Sequence, residues 1–218
     1  MMIKCRYLLF DLDGTLIDPI HGLIASIKYA LSELGERIPD ESVLSTFIGP
    51  PLKESFVNIC GFDDMKADNA VKAYRKYYAT NGIFDCNVYD GVSEALSVLK
   101  SRGFDLFIAT SKPSVFAEQI AEHFQFSTFF TEIVGSELNG KRSNKVEVIK
   151  FILDKYQINP ADATMIGDRK YDIIPALELG LKTIAVTYGY GDKTELTKAN
   201  PNIIIEKFDR LLSILTYA

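Results

Sequence analysis

The stretch YLLFDLDGTLID, residues 7–18, decides the fold. Four bulky apolar residues in a row, followed by a Gly-Thr breaker, indicate a fully buried strand. The strand ends in Asp11 and Asp13, whose side chains would point to the same face if the strand continued. Two ionised carboxylates about 4 Å apart repel each other by about 4 kcal/mol at an effective dielectric constant of about 20. Protonation of one aspartate, a turn that separates them or a nearby cation would relieve this repulsion.

Other interpretations of this stretch are also available. Asp-Gly is a common turn dipeptide, so the stretch alone is compatible with an ordinary loop. A calcium loop of the EF-hand type is excluded, because counting from Asp11 its sixth and twelfth positions are Leu16 and Gly22, where that loop requires Gly and Glu. The rest of the chain has to decide between a loop and a reaction site.

The composition limits the class of protein. The chain has 218 residues, 47% of them hydrophobic and 24% charged, which suits one substantial core or a core domain with a smaller companion. The net charge is −5 and no block of Lys and Arg occurs, so we expect neither nucleic acid nor an anionic membrane as a partner. Three scattered cysteines without C-x-x-C spacing argue against a zinc site and favour a cytoplasmic location. No apolar run is long enough for a signal-peptide core or a membrane span.

The hydrophobic pattern divides the chain into two successive parts. Within residues 17–86 the apolar residues recur at helical spacing, with a break at Gly49-Pro50-Pro51. From residue 87 onward strand and helix patterns alternate, which predicts a parallel sheet with helices on both faces. We therefore expect an α/β protein with a doubly wound core domain, residues 1–16 and 87–218, and an inserted all-helical cap domain, residues 17–86.

Prolines help to place two helix starts. Asp18 is a favourable N-cap with Pro19 at the first helical position, and the helix is expected to stop at Gly35. A second helix pattern begins at Ile173, which would place Pro175 in the first turn, where proline is tolerated.

Polar residues lie at predicted strand ends, or in one case at a helix start, at the sheet edge where parallel α/β folds bind ligands. Besides the two aspartates of the opening stretch, they are Thr110, Ser111, Lys145, Asp168 and Asp172. Hydroxyls and helix-start amides bind phosphate oxygens, and a lysine adds a positive charge. Clustered carboxylates suit Mg²⁺. A divalent cation and a phosphate group would therefore explain how Asp11 and Asp13 coexist.

The ordered motifs DLDGT, ATSKP, the lysine of NKVEVI, and IGDRKYDI resemble those of the haloacid dehalogenase superfamily of phosphatases, over essentially the whole chain. The position of the helical insert, with FIGPPLKESF and VTYGYG, resembles the phosphoglycolate-phosphatase-like group. The resemblance implies a Mg²⁺-dependent phosphatase that hydrolyses small-molecule phosphate monoesters through an aspartyl-phosphate. We expect a monomer or a weak homodimer.

The resemblance implies a role for each aspartate. Asp11 attacks phosphorus, while Asp13 donates a proton to the leaving oxygen and later takes one from water. Asp11, the backbone carbonyl of Asp13 and Asp168 hold Mg²⁺. Asp172 lies behind them and acts through water. A carboxylate nucleophile and an acid-base partner are what hydrolysis in two displacements requires.

The phosphoryl oxygens are expected on other residues. The resemblance implies Thr110, the backbone amide of Ser111, and Lys145; many relatives carry Asn at position 111. Lys141 competes with Lys145 for the lysine role, but Lys145 begins the apolar-periodic helix and is preferred. Lys112 is expected in solvent or paired with a neighbouring acid.

Specificity is expected from the cap, because the core recognises only the phosphoryl group that all monoesters share. Gly49 and Lys53 are candidate substrate contacts, with Lys53 offering a cation to an acidic leaving group such as that of phosphoglycolate. A nucleoside monophosphate would instead require aromatic stacking, for which Phe47 and Phe56 are candidates.

Several other functions share these motifs. A 5'-nucleotidase, a pyrophosphatase or a sugar-phosphate mutase of the same superfamily would use the same core and differ in the cap. A receiver-like or non-hydrolytic phosphate-binding protein belongs to a different class and has no use for Asp13 as an acid-base group. A dehalogenase is disfavoured, because those enzymes lack a carboxylate at the position of Asp13.

Overall fold

The structure is a computed structural model that describes residues 2–218. The chain forms two compact units: the described residues up to Asp18 together with Val88–Ala218 form the first, and Pro19–Asn87 form the second. The second unit is therefore an insertion in the sequence of the first. No helix within residues 2–218 combines the length and apolar character needed to span a bilayer.

The first unit is built on a parallel sheet. The strands of the chain are Ile3–Cys5 (β1), Tyr7–Phe10 (β2), Ile17–Asp18 (β3), Asn87–Val88 (β4), Asp105–Pro113 (β5), Phe130–Ser136 (β6), Ala163–Gly167 (β7), Lys182–Val186 (β8), Ile203–Ile205 (β9) and Leu215–Tyr217 (β10). Six of them form the main sheet in the order β6-β5-β2-β7-β8-β9, with parallel pairing throughout. A separate parallel pair joins β1 to β10.

Helices alternate with these strands. In chain order they are Ile20–Glu33 (α1), Glu41–Leu44 (α2), Leu52–Cys60 (α3), Asp64–Tyr77 (α4), Val92–Ser101 (α5), Ser114–His123 (α6), Lys145–Tyr156 (α7), Lys170–Glu178 (α8), Lys193–Ala199 (α9) and Leu211–Ile214 (α10). Short 3₁₀ turns lie at Ser45–Phe47, Ser127–Phe129, Pro160–Asp162 and Phe208–Arg210, and a π-helical turn lies at Tyr78–Gly82. The predicted α/β class with a parallel sheet is confirmed.

Strand β2 is central, which explains why its residues are uniformly apolar. It pairs with β5 on one side and with β7 on the other, and Leu8, Leu9 and Phe10 are fully buried. Its last residue, Phe10, lies beside Ile108 of β5 and Ile166 of β7. Because the three strands run in parallel, the residues that follow them meet at one edge of the sheet.

The second unit consists of α1–α4 with the π-helical turn. Close packing in this unit depends on Gly22, since a Cβ there would lie 2.0 Å from the carbonyl oxygen of Gly82. Aromatic rings fill the interior: Phe47 packs edge-on against Phe56 at a centroid distance of 5.2 Å, and Tyr74 stacks on Tyr78 at 5.4 Å.

Both predicted helix starts are wrong. Helix α1 begins at Ile20 with Pro19 at the cap position, while the carboxylate of Asp18 instead accepts a hydrogen bond from the hydroxyl of Tyr190. Helix α8 begins earlier than predicted, at Lys170. Pro175 therefore lies in its second turn, where the missing N–H removes one intrahelical hydrogen bond.

Candidate active site

A tight turn follows β2 and carries the first two aspartates. The N–H of Asp11 still donates to the carbonyl of Ile166 at 2.9 Å, so Asp11 stands at the last paired position of the strand. The chain then turns at Gly14, whose N–H donates to Ile17 at 2.8 Å. Gly14 has φ +83°, and a Cβ there would lie 2.2 Å from Oδ2 of Asp168. Only glycine fits both the backbone conformation and the space.

Lys145 lies at the centre of the buried charges. Its Nζ is 2.8 Å from Oδ1 of Asp11, 2.8 Å from Oδ1 of Asp172, and donates to the carbonyl of Ala109 at 2.7 Å. Burial opposes the charge of Lys145, but the carboxylates of Asp11 and Asp172 outweigh burial and raise its pKa. The lysine therefore stays an ammonium ion within the core of the unit.

Asp168 is fully buried at the end of β7. Its Oδ1 accepts a hydrogen bond from the hydroxyl of Thr15 at 3.2 Å, and its Oδ2 accepts one from the N–H of Tyr190 at 2.7 Å. Burial raises the pKa of Asp168 well above its ordinary range, and the charges of Asp172 and Asp11 raise it further. Two loops thus fix a carboxyl group that ionises readily only when a nearby cation compensates its charge.

Asp172 is the third residue of α8, and its two carboxylate oxygens make two different contacts. Its Oδ2 accepts the N–H of Arg169 at 3.0 Å, which caps the helix, and its Oδ1 faces Lys145. Burial, with the charge of Asp11, raises the pKa of Asp172 to about 6 although Lys145 acts against the shift. The capping bond explains why α8 starts where it does.

These carboxylates fit a hard divalent cation. Asp11, Asp168 and Asp172 are buried, and each offers a carboxylate oxygen within 4.8 Å of the others. Within residues 2–218, Oδ1 of Asp11 receives no hydrogen bond of good geometry, although Lys145 lies close to it. With Asp13 included, the site holds four carboxylates and two buried ammonium groups. Lys145 pairs with Asp11 and Asp172, and Lys112 pairs with Asp13, so two negative charges are in excess when all are ionised. An all-oxygen set of this charge is what Mg²⁺ prefers.

Thr110 and Ser111 lie in the last part of β5, where its regular pairing with β6 is interrupted. Thr110 is buried and its hydroxyl oxygen accepts the N–H of Lys112 at 3.2 Å. The carbonyl of Ser111 accepts a hydrogen bond from the hydroxyl of Ser136 on β6 at 2.9 Å. Since Lys145 binds the carbonyl of Ala109, directly before Thr110, the three predicted phosphate ligands lie close together.

The structure distinguishes the two lysines that were candidates for phosphate binding. Lys145 points into the cluster, whereas Lys141 is exposed in the preceding loop, where its N–H binds the side chain of Asn139. Lys112 is paired with an acid, as expected, but that acid is Asp13: Nζ of Lys112 lies 2.6 Å from Oδ1 of Asp13, and both side chains are largely buried.

The predicted cap residues lie in the second unit. Gly49 adopts φ +107° in its Gly-Pro-Pro turn. Lys53 forms ion pairs with Asp68 at 3.0 Å and with Asp64 at 3.4 Å, so its charge is already partly compensated. The suggestion that Phe47 or Phe56 stacks on a nucleobase is wrong, because both residues are buried and their rings pack against each other within the unit.

A loop after β8 contributes groups that sequence reasoning did not assign. The hydroxyl of Tyr188 donates to the carbonyl of Thr15 at 2.8 Å, next to the contact of Tyr190 with Asp168. An added Cβ on Gly189 would lie 2.4 Å from Oδ2 of Asp168, and one on Gly191 would lie 1.9 Å from its carbonyl oxygen. The sequence does carry a signal for this loop, because Tyr and Gly alternate directly after the buried strand β8.

Comparison with known proteins identifies this arrangement. The family model of haloacid dehalogenase-like hydrolases matches residues 8–186. The chain belongs to this family. The predicted resemblance is therefore confirmed, as is the assignment to the family's phosphatases.

Relatives of this haloacid dehalogenase-like protein carry several names. A 5'-nucleotidase of Pseudomonas aeruginosa is 44% identical over 89% of this chain and 88% of its own. A protein of Mycobacterium tuberculosis named tyrosine-protein kinase PtkA is 32% identical over 96% of this chain and 73% of its own. A phosphoglycolate phosphatase of Vibrio parahaemolyticus is 25% identical over 96% of both. The solved structure of a predicted phosphatase from Clostridium acetobutylicum superposes with a TM-score of 0.93 and 46% identity, covering 96% of this chain and 97% of that one.

Proposed function

We propose that this phosphatase is Mg²⁺-dependent and hydrolyses small phosphate monoesters in two displacements, with Asp11 as the nucleophile. The observation that carries the proposal is the separation of two carboxylates into two environments. The side chain of Asp11 is 7% exposed and lies beside Lys145, whereas that of Asp13 is 15% exposed and is paired with Lys112. A nucleophile and an acid-base group need such different surroundings.

The first displacement transfers the phosphoryl group to the protein. A carboxylate oxygen of Asp11 bonds to phosphorus while the bond from phosphorus to the leaving oxygen breaks, and Asp13 gives that oxygen a proton. In the second displacement Asp13 takes a proton from water, whose oxygen bonds to phosphorus while the bond between Asp11 and phosphorus breaks. Inorganic phosphate leaves, Asp11 is again a carboxylate and Asp13 again carries its proton.

Other residues bind the phosphoryl group and the metal ion. Thr110, the amide of Ser111, and Lys145 bind the phosphoryl oxygens, which carry the charge of the transferring group. Asp11, the backbone carbonyl of Asp13 and Asp168 would hold Mg²⁺, with Asp172 behind them through water. When bound, Mg²⁺ supplies positive charge that stabilises the phosphoryl group during transfer.

The inserted unit is proposed to act as a cap that selects the leaving group, with Gly49 and Lys53 as contacts. The 25% identity to a phosphoglycolate phosphatase supports a small acidic substrate. The 44% identity to a 5'-nucleotidase supports a nucleoside 5'-monophosphate more strongly. A cytoplasmic location and a monomeric or weakly dimeric state stay predictions, the latter checked by light scattering.

The test measures phosphate release by the purified protein. The panel contains p-nitrophenyl phosphate, phosphoglycolate, nucleoside 5'-monophosphates and pyrophosphate, each with Mg²⁺ and with EDTA. We expect steady turnover with Mg²⁺ only, and selectivity of at least about tenfold among the natural monoesters. A single phosphorylation event without turnover would favour a receiver-like protein. ATP-dependent labelling of a tyrosine peptide, without monoester hydrolysis, would favour a kinase.

A further inference from the structure

Lys112 is a buried charge that the proposed reaction does not yet use. Its side chain is 5% exposed, although lysine is rarely buried without a partner. Its Nζ donates to Oδ1 of Asp13 at 2.6 Å. Lys112 lies on β5 and Asp13 in the turn after β2, so this contact links two different strand ends.

The backbone around Lys112 is built to hold it in place. At this point β5 shifts register against its neighbour β6. The carbonyl oxygen of Lys112 faces Gly135, where an added Cβ would lie 2.1 Å away. The hydroxyl of Ser136 anchors the preceding carbonyl of Ser111. The direction of the Lys112 side chain is therefore set by β6 as well as by its own strand.

The two buried lysines serve different aspartates. Lys145 contacts Asp11 and Asp172, which belong to the nucleophile and metal side of the site. Lys112 contacts Asp13, the proposed acid-base group. An acid-base group must lie within hydrogen-bond reach of the leaving oxygen, and a misplacement of about 1 Å lowers the rate severely.

We propose that Lys112 is the positioning residue of Asp13: its ammonium group holds the carboxyl of Asp13 in the orientation that protonates the leaving oxygen. The inference rests on the proposed function, which makes Asp13 the acid. It adds that the acid is held from the neighbouring strand by a residue of the ATSKP motif. Lys112 acts through Asp13 and contacts no reacting atom itself.

The test compares two substrates whose leaving groups differ. An alkyl phosphate such as glycerol 3-phosphate needs protonation of its leaving oxygen, whereas p-nitrophenyl phosphate needs little. In Lys112→Met, which keeps the length and removes the charge, we expect kcat for the alkyl phosphate to fall at least about tenfold more than kcat for the aryl phosphate. KM for both should stay within about threefold, because Lys112 does not bind substrate.

Two further variants serve as controls. Lys141→Met removes an exposed lysine of the same chain and should leave the ratio of alkyl to aryl turnover unchanged. The double variant Lys112→Met with Asp13→Asn leaves neither charge unpaired, so it should fold even where Lys112→Met does not. Its ratio should equal that of Asp13→Asn alone, because Lys112 has no carboxylate left to orient.

Each outcome decides one question. An equal loss on both substrates in Lys112→Met, or no loss, overturns the positioning role. A rise in KM alone makes Lys112 a substrate ligand instead. A double variant with a lower ratio than Asp13→Asn shows that Lys112 does not act through Asp13. Failure of the wild-type protein to release phosphate from either substrate overturns the proposed function itself, and is thereby distinguishable.

Discussion

Nζ of Lys145, the first residue of α7, lies 2.8 Å from Oδ1 of Asp11, the residue that follows β2. Lys145 thus places a positive charge beside the proposed nucleophile, although the two residues are far apart in sequence. This pair remains together only if α7 packs correctly on the sheet, where Val148, Ile149 and Ile152 are buried against the same core as Leu9. Packing and chemistry are therefore coupled at this residue.

The nucleophile is tested by Asp11→Asn, which keeps the shape of the side chain and removes its charge. We expect kcat for p-nitrophenyl phosphate to fall at least about a thousandfold, since the attacking group is lost. Circular dichroism and the thermal midpoint serve as controls for folding. Turnover close to that of the wild type would show that another residue attacks phosphorus.

The assignment of the lysine is tested by Lys145→Met against Lys141→Met. Removing Lys145 leaves two buried carboxylates unpaired, so we expect a loss of about 3–5 kcal/mol in the free energy of unfolding together with a severe loss of turnover. Lys141 is exposed, and its replacement should change stability by less than about 0.5 kcal/mol. Urea denaturation and phosphate release measure both quantities, and the reverse pattern would exchange the two roles.

Much of this arrangement could be predicted from sequence because it depends on short, local patterns. Strand β2 coincides with the first apolar run, α7 begins at Lys145 as predicted, and Asp11 and Asp168 directly follow strands. The pair of β1 with β10 was not predicted, because three-residue strands carry little periodicity and their pairing joins the two ends of the described chain. Strand β6 contains few consecutive apolar residues, yet it spans seven residues because its neighbour β5 supplies the pairing.

The charge pairing could not be predicted in the same way. Lys112 contacts Asp13 from the segment in which β5 shifts register against β6, and residue types alone do not predict such a shift. Asp18 was predicted to cap helix α1, but its carboxylate instead accepts a hydrogen bond from the hydroxyl of Tyr190. Tertiary partners of this kind override local propensity, which is only a weak guide to structure.

The turn after β2 is tested by Gly14→Ala, with Gly35→Ala as the matched control. Both glycines have positive φ, but only Gly14 faces a side chain: a Cβ there would lie 2.2 Å from Asp168, whereas nothing lies within 4 Å of one on Gly35. Gly35→Ala should cost about 1 kcal/mol of stability from backbone strain and keep full activity. Gly14→Ala should cost more and lower kcat at least about tenfold, because Asp168 must move. Equal effects in the two variants would contradict the proposed contact.

Metal binding is tested through the stability of the metal-free protein in EDTA. Burial raises the pKa of Asp172 to about 6 and raises that of Asp168 well above its ordinary range, while both groups titrate at about 4 in the unfolded chain. Between these values the folded state holds more protons than the unfolded state, so the free energy of unfolding falls as pH rises from about 4 to 6 and beyond. We therefore expect a higher thermal midpoint at pH 5 than at pH 7.

Mg²⁺ should reverse this trend. It binds the ionised carboxylates, and at about 100 times its Kd it adds about 2.7 kcal/mol to the stability of the folded state. The rise in thermal midpoint should be larger at pH 7 than at pH 5, where protons compete for the same oxygens. Asp168→Asn should weaken both effects, which separates them from the titration of other groups. A thermal midpoint indifferent to Mg²⁺ at both pH values would contradict the metal assignment.

The cap contact is tested by Lys53→Ala, and the ion pairs of Lys53 sharpen what to expect. Asp68 and Asp64 share its charge, but all three side chains are well exposed to solvent, at 43% for Lys53. Exposed pairs of this kind contribute less than about 1 kcal/mol, so an acidic leaving group can compete for the ammonium ion. We expect Lys53→Ala to raise KM for phosphoglycolate about threefold to tenfold and to leave kcat for p-nitrophenyl phosphate unchanged. Lys72→Ala, at an exposed position of α4, is the control and should change neither value. Loss on both substrates would show that Lys53 acts through folding of the helical unit, and loss on neither would show that other residues select an acidic substrate.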